Sequence, residues 1–206
     1  MIAVVDYGAS NVRSVLRALR AVGADVVLTD DPDAVRTANR VVVPGVGNFA
    51  PARRRLAETG LGEAIGDVAR AGRPLLGICL GLQLLLEESD EAPGVPGLGL
   101  LSGRVARFGT DLPVPHVGWA RVRLTECGHA HPVLARAFGG DEAFFYHVHS
   151  YHPEGVAPRG DLADAEYGAT FPTIVGRDAV LGVQFHPEKS QAPGLALLRE
   201  FAAWMP

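Results

Sequence analysis

The chain has 206 residues, 48% of them hydrophobic, with 19 basic and 23 acidic side chains and a formal net charge of −4. A mildly acidic average surface argues against nucleic acid or an anionic membrane as the main partner, and no apolar run approaches the roughly 20 residues needed to span a bilayer. Two cysteines, Cys79 and Cys127, make no disulfide framework and no secretory signal precedes the first apolar run, so a reducing cytoplasm is expected around one α/β domain covering residues 1–206.

Ile2-Ala-Val-Val5 is a continuous apolar run of the kind a central parallel strand shows, and Asp6-Tyr-Gly8 closes it before a helix expected from about Ser10 to Val22. Gly23 ends that helix. Val26–Leu28 makes a second strand, and Pro32 opens a short helix at a position where proline is tolerated. Val41–Val43 is the third strand and runs into Pro44-Gly-Val-Gly47, expected as a loop. Two helical stretches follow, split by Gly60 and Gly62, and then the apolar run Pro74–Ile78. Four strands each followed by a helix imply a mainly parallel sheet with helices on both faces. Ligands collect outside the carboxyl ends of such strands, which places Asp6–Gly8, Pro44–Gly47 and Cys79 along one edge.

At Cys79 the apolar run switches to helical composition, Leu80–Glu88, with Gly77 and Gly81 on either side. A strained strand-to-helix turn that exposes a nucleophile needs small neighbours, and the helix start favours a thiolate. The alternative is a small buried apolar residue, the ordinary fate of a free cysteine. A base elsewhere must decide between them.

After Glu91 the texture changes. Pro93–Gly97 is a loop, and Gly103–Phe108, Arg121–Leu124 and Ala143–His149 read as short antiparallel strands. Phe171–Val175 and Ala179–Phe185 form a hairpin turning at Gly176–Asp178, Cys127 falls in a loop beside Gly128, and an amphipathic helix from Gly194 to Trp204 ends the chain. The second hairpin strand stops at Phe185-His-Pro-Glu188. An imidazole there can take a thiol proton, and a carboxylate two residues on can fix its tautomer. A surface turn is the commoner fate of such residues.

Gly77-Ile-Cys-Leu-Gly-Leu-Gln83 and Phe185-His-Pro-Glu188 together resemble the nucleophile elbow and base segment of the class I glutamine amidotransferases. Asp6-Tyr-Gly-Ala-Ser-Asn11, Pro44-Gly-Val-Gly-Asn-Phe49, Pro115-His-Val-Gly-Trp119, Val148-His-Ser-Tyr151 and His186-Pro-Glu-Lys-Ser-Gln191 are similar to signatures of one branch, the glutaminase subunits of imidazole glycerol phosphate synthases of histidine biosynthesis. The resemblance covers roughly residues 2–191. It implies a Cys79–His186–Glu188 triad that hydrolyses L-glutamine to glutamate and ammonia without a cofactor or metal. It also implies oxyanion donors at Leu80 and the Val46–Gly47 peptide, whose flip is a candidate switch, and a glutamine pocket formed by Gly45, Gln83, Glu91, Ser150 and Tyr151.

Ammonia in neutral water is mostly ammonium, so the resemblance further implies a (β/α)₈ cyclase partner that takes ammonia through a shielded path and forms imidazole glycerol phosphate and AICAR. Asn11, Pro115, His116, Trp119, Tyr146 and Lys189 are its implied contacts. Gln83 keeps a solvent-facing alternative and Trp119 a half-buried core one. Two positions depart from the branch. Ala120 stands where asparagine is usual, and His147 where an apolar residue is common. With His149 and His152, His147 makes a small histidine cluster; residues 147 and 149 share a strand face, but no further ligand of settled spacing accompanies them and no metal is assigned.

Overall fold

The computed structural model describes residues 1–9, 11–109 and 112–206. Its first half is a β/α succession: β1 (Ile2–Val5), α1 (Val12–Ala21), β2 (Val26–Thr29), α2 (Pro32–Thr37), β3 (Arg40–Gly45), α3 (Phe49–Glu58), α4 (Leu61–Arg70), β4 (Leu75–Cys79) and α5 (Leu80–Leu85). The expected start of α1 at Ser10 lies outside the described residues. The second half contains β5 (Glu88–Ser89), β6 (Arg104–Arg107), β7 (His116–Leu124), α6 (Glu126–Ala130), α7 (Pro132–Phe138), β8 (Glu142–His149), β9 (Tyr151–Glu154), β10 (Asp161–Tyr167), β11 (Ala169–Arg177) and β12 (Val180–Val183). A 3₁₀ turn at Pro187–Lys189 then leads into α8 (Gln191–Ala203).

Among the described residues, nine strands form one sheet in the order β2-β1-β3-β4-β12-β11-β10-β7-β8. From β2 to β12 neighbours run parallel, and from β12 to β8 they run antiparallel. β5, β6 and β9 make a separate small sheet. Alternation along the inner strands splits the core in two. Ile2, Val4, Val42, Leu76 and Ile78 pack on one face with α1 and α8. Ala3, Val5, Val41, Val43 and Leu75 pack on the other with α3 and α4. Helices therefore cover both faces, as the βα succession implies. Among the described residues no helix is long and apolar enough to cross a membrane.

The differences from the sequence expectation are local. Pro44 and Gly45 belong to β3, paired with Ile78 and Cys79, so the loop begins only at Val46. The helix after Cys79 ends at Leu85 rather than Glu88, because the Leu84, Leu85 and Leu86 carbonyls turn to accept from Leu98, Leu100 and Gly99. α6 stands where a loop was expected around Cys127, and β9, β10 and α7, which carry weak sequence signals, come in addition to the elements read from the sequence. Cys127 lies in α6, half-buried against the core. Thr125 caps that helix by accepting from the Gly128 N–H at 3.1 Å.

Candidate active site

Three glycines let the chain turn at Cys79. The residue itself has φ 53° and ψ −109°, a conformation L-residues rarely adopt and one that stores strain. A Cβ on Gly81 would lie 1.8 Å from the Val43 carbonyl oxygen of β3, and one on Gly77 would lie 2.8 Å from the backbone of Gly81 and Leu82. Elbow and neighbouring strand are thus in direct backbone contact. A Cβ on Gly45 would meet the Tyr7 hydroxyl at 2.2 Å, so Gly45 stands behind the elbow, where Tyr7 donates to the Pro44 carbonyl at 2.7 Å. Since α5 has only six residues, its dipole is weaker than that of the longer helix read from the sequence.

The second segment reaches the elbow because β12 lies next to β4 in the sheet. His186 follows three residues after the end of β12. Its side chain is 1% exposed and that of Glu188 is 0% exposed, and His186 Nδ1 bonds Glu188 Oε1 at 2.8 Å. Asn11 Nδ2 donates to the same oxygen at 2.6 Å. Asn11 sits at the start of α1 with φ 76°, which asparagine tolerates, and its side chain holds the carboxylate instead of capping the helix. Burial lowers the proton affinity of His186, but Cys79 and Glu188 outweigh it and push its pKa up to about 9. Among the described residues Nε2 of His186 has no hydrogen-bond partner.

The turn is held against β8. The His186 N–H donates to the Tyr146 carbonyl at 2.9 Å. The Ser190 hydroxyl accepts from the Tyr146 N–H at 3.0 Å and donates to the His186 carbonyl at 2.6 Å. Ser190 is fully buried.

A cleft of about 320 Å³ opens in front of Cys79, walled by Val46, Gly47, Leu80, Gln83, Glu91, Pro115, Ser150 and Tyr151 among others. Gly47 has φ 113°, a backbone open to glycine. Glu91 Oε2 accepts from the Phe49 N–H at 3.0 Å at the start of α3, which fixes the carboxylate on the cleft wall. Gln83 is 5% exposed and turns inward, donating to the Tyr151 carbonyl and to Gln184 Oε1. The solvent-facing alternative for Gln83 is therefore overturned. Gln184, at 0% exposure, donates in turn to Cys79 Sγ at 3.6 Å. Sequence reasoning passed over Gln184 and Ser190. Their signal is a polar residue inside the apolar run Val183–Phe185 and a hydroxyl just beyond Glu188.

Of the remaining positions, Pro115 lies at the cleft rim. Trp119 is 47% exposed and meets Tyr146 edge-on at 6.3 Å between ring centroids. Lys189 Nζ lies 5.8 Å from the Tyr146 ring centre. Trp119, Tyr146 and Lys189 thus form one continuous surface row, and the core alternative for Trp119 does not hold. His116 is buried, stacked on Tyr167 at 4.1 Å. His147 and His149 do share a buried face, their rings 5.4 Å apart. His147 spends both nitrogens, Nδ1 toward the Phe145 carbonyl at 3.1 Å and Nε2 toward the Thr173 hydroxyl at 3.0 Å. Burial lowers the pKa of His147 to about 3 and that of His149 well below its ordinary value. Among the described residues no group of three or more His, Cys, Asp or Glu is disposed to hold a metal ion.

Residues 3–204 match the family described as glutamine amidotransferase class-I. The chain is 50% identical over 198 residues to the imidazole glycerol phosphate synthase subunit HisH of Symbiobacterium thermophilum, covering 96% of this chain and 91% of that one. It is 41% identical to the HisH subunit of Bacillus subtilis, covering 98% and 95% of the two chains. Among solved structures, a glutamine amidotransferase superposes with a TM-score of 0.76 at 20% identity over 98% of this chain and 99% of that one. PurLQS from Thermotoga maritima superposes at 0.74 and 19% identity over 97% and 96%. These two likenesses concern the fold.

Proposed function

We infer from a chain that belongs to the class I glutamine amidotransferases, and within them to the HisH subunits of imidazole glycerol phosphate synthase, that Cys79, His186 and Glu188 form the triad of its glutaminase reaction. The chain hydrolyses L-glutamine and supplies ammonia for imidazole glycerol phosphate synthesis. The observation that carries the triad is the buried His186–Glu188 pair at 2.8 Å, with the free imidazole nitrogen left for a cysteine on a strained elbow.

In this reading the sulfur of Cys79 attacks the side-chain amide carbon of glutamine, and the oxyanion is met by the N–H of Leu80 and the Val46–Gly47 peptide. His186 takes the thiol proton and gives it to the leaving nitrogen as the C–N bond breaks, while Glu188, steadied by Asn11, keeps the imidazole oriented. Water then gives a proton to His186 as its oxygen attacks the thioester carbon, and the C–S bond breaks with its electrons going to sulfur. Glu91 suits the α-ammonium of glutamine by charge, and Gln83, Ser150 and Tyr151 complete the pocket wall. Gly45 serves the same pocket indirectly, by allowing β3 to pass close behind the elbow. The whole chain acts as one glutaminase domain in the cytoplasm, in keeping with two free cysteines.

The partner is a (β/α)₈ cyclase subunit that joins the ammonia to its nucleotide acceptor. The row Trp119–Tyr146–Lys189, with Pro115 and Asn11 nearby, is its docking surface; an exposed tryptophan beside a half-buried tyrosine is the composition of an interface anchor. The buried His116 contributes by holding the docking strand in place, not by touching the partner. Cys79→Ala tests the reading. In the complex it is expected to abolish glutamine-dependent synthesis and leave synthesis from added ammonium salts intact. Loss of both would make Cys79 a structural residue.

A further inference from the structure

Two buried amides lie between the cleft wall and Cys79, and their polarity is forced. A backbone carbonyl can only accept, and that of Tyr151 takes the Nδ1–H of His149 at 2.8 Å and the Nε2–H of Gln83 at 3.3 Å. The nitrogen end of Gln83 therefore faces Tyr151. The same nitrogen lies 3.2 Å from the near end of Gln184. Were that end also nitrogen, two donors would oppose each other in the interior. It must be Oε1, and the nitrogen of Gln184 is left facing Cys79 Sγ at 3.6 Å. Amide orientations are ordinarily ambiguous, but here each follows from its neighbour, starting at a carbonyl.

We propose that Gln184 is a further catalytic residue, a side-chain donor to the sulfur of Cys79 whose orientation is set through Gln83 by the Tyr151 carbonyl. The proposal rests on the reading of Cys79 as nucleophile. A thiol is a weak acceptor and a thiolate a strong one, so a fixed N–H favours the ionised sulfur and holds its rotamer while it attacks. The same N–H acts again at the end of the cycle. When water adds to the thioester carbon, the electrons of the breaking C–S bond pass to a sulfur that already faces a donor. The chain of amides also joins the nucleophile to Tyr151 on the glutamine pocket wall, so the wall and the sulfur are held in one register.

Gln184→Met keeps the side-chain length and removes the donor. With the synthase complex at pH 7, alkylation of Cys79 by iodoacetamide is expected to slow about tenfold, the effect of losing one hydrogen bond to a charged group. kcat for glutamine is expected to fall by a similar factor, with KM changed less than about threefold. Absence of labelling at Cys79 in the parent protein would remove the nucleophile reading itself. Labelling of parent and Gln184→Met at equal rates, or a variant whose loss lies in KM alone, overturns the proposal and leaves that reading standing. Should Gln184→Met not fold, the side-chain amide signal of Gln184 in the ¹⁵N-glutamine-labelled parent decides. It moves when Cys79 is alkylated if the contact exists, and a signal that stays in place refutes it.

Discussion

His147 offers a test of how the buried histidines govern stability. In the unfolded chain its pKa is about 6.5; in the fold burial pushes it down to about 3. Below pH 6.5 the unfolded state therefore binds a proton that the folded state refuses. Stability must fall as pH drops from about 6.5 toward 3, by about 1.4 kcal/mol per pH unit for this one residue. Between pH 7.5 and 5.0 the loss amounts to about 2 kcal/mol. His147→Val removes that share. It also leaves the Thr173 hydroxyl without its acceptor, at about 1–3 kcal/mol, but this cost is the same at every pH. The test therefore lies in the difference between two pH values. Urea unfolding of parent and variant at pH 7.5 and 5.0, at one ionic strength, should show the parent losing about 2 kcal/mol more than the variant. His116, His149 and His152 are present in both proteins and cancel to first order. Equal losses, within about 0.5 kcal/mol, would refute the assignment of a neutral, proton-refusing His147.

Gly81→Ala places a methyl group 1.8 Å from the Val43 carbonyl oxygen, with backbone on both sides of the clash. A cost of about 3 kcal/mol is expected, lowering Tm by about 6–12 °C in calorimetry, with glutamine-dependent synthesis falling more than about tenfold. Asp161 on β10 is raised to about pKa 7, by burial first and by neighbouring Asp164 second. The folded state holds that proton where the unfolded chain releases it, so this carboxyl costs stability as pH rises from about 4 to 7. Asp161→Asn should therefore raise Tm at pH 8 by about 2–4 °C and leave it unchanged near pH 4, once the shift is discounted for the solvent that reaches the pair.

Motif and composition reached some parts of the molecule and not others for physical reasons. Cys79 was legible because a strained turn demands small neighbours, and Gly77 and Gly81 leave that demand in the sequence itself. The parallel half was legible because its inner strands are buried on both faces and read as unbroken apolar runs, as in Ile2–Val5 and Leu75–Cys79. β10 was not. Asp161-Leu-Ala-Asp-Ala-Glu-Tyr167 has acidic residues, a register shift and weak strand formers, and it is a strand because β7 and β11 pair with it on either side. The end of α5 is decided by backbone partners more than ten residues away, which no local pattern records. Asn11 shows the same limit within the site. Its motif announced importance, but only packing brings it to Glu188, 177 positions further along the chain.

β8 ends the nine-stranded sheet, and an end strand offers its unpaired backbone groups to any second chain that can add to it. At Tyr146 those groups are occupied. Its carbonyl takes the His186 N–H and its N–H gives to Ser190, so the turn that carries the base also covers the edge strand at that point. Reactivity and solubility thus share one set of hydrogen bonds. A change that loosens the turn to retune the imidazole also frees two backbone groups on an end strand, and with them a point at which a second chain can add.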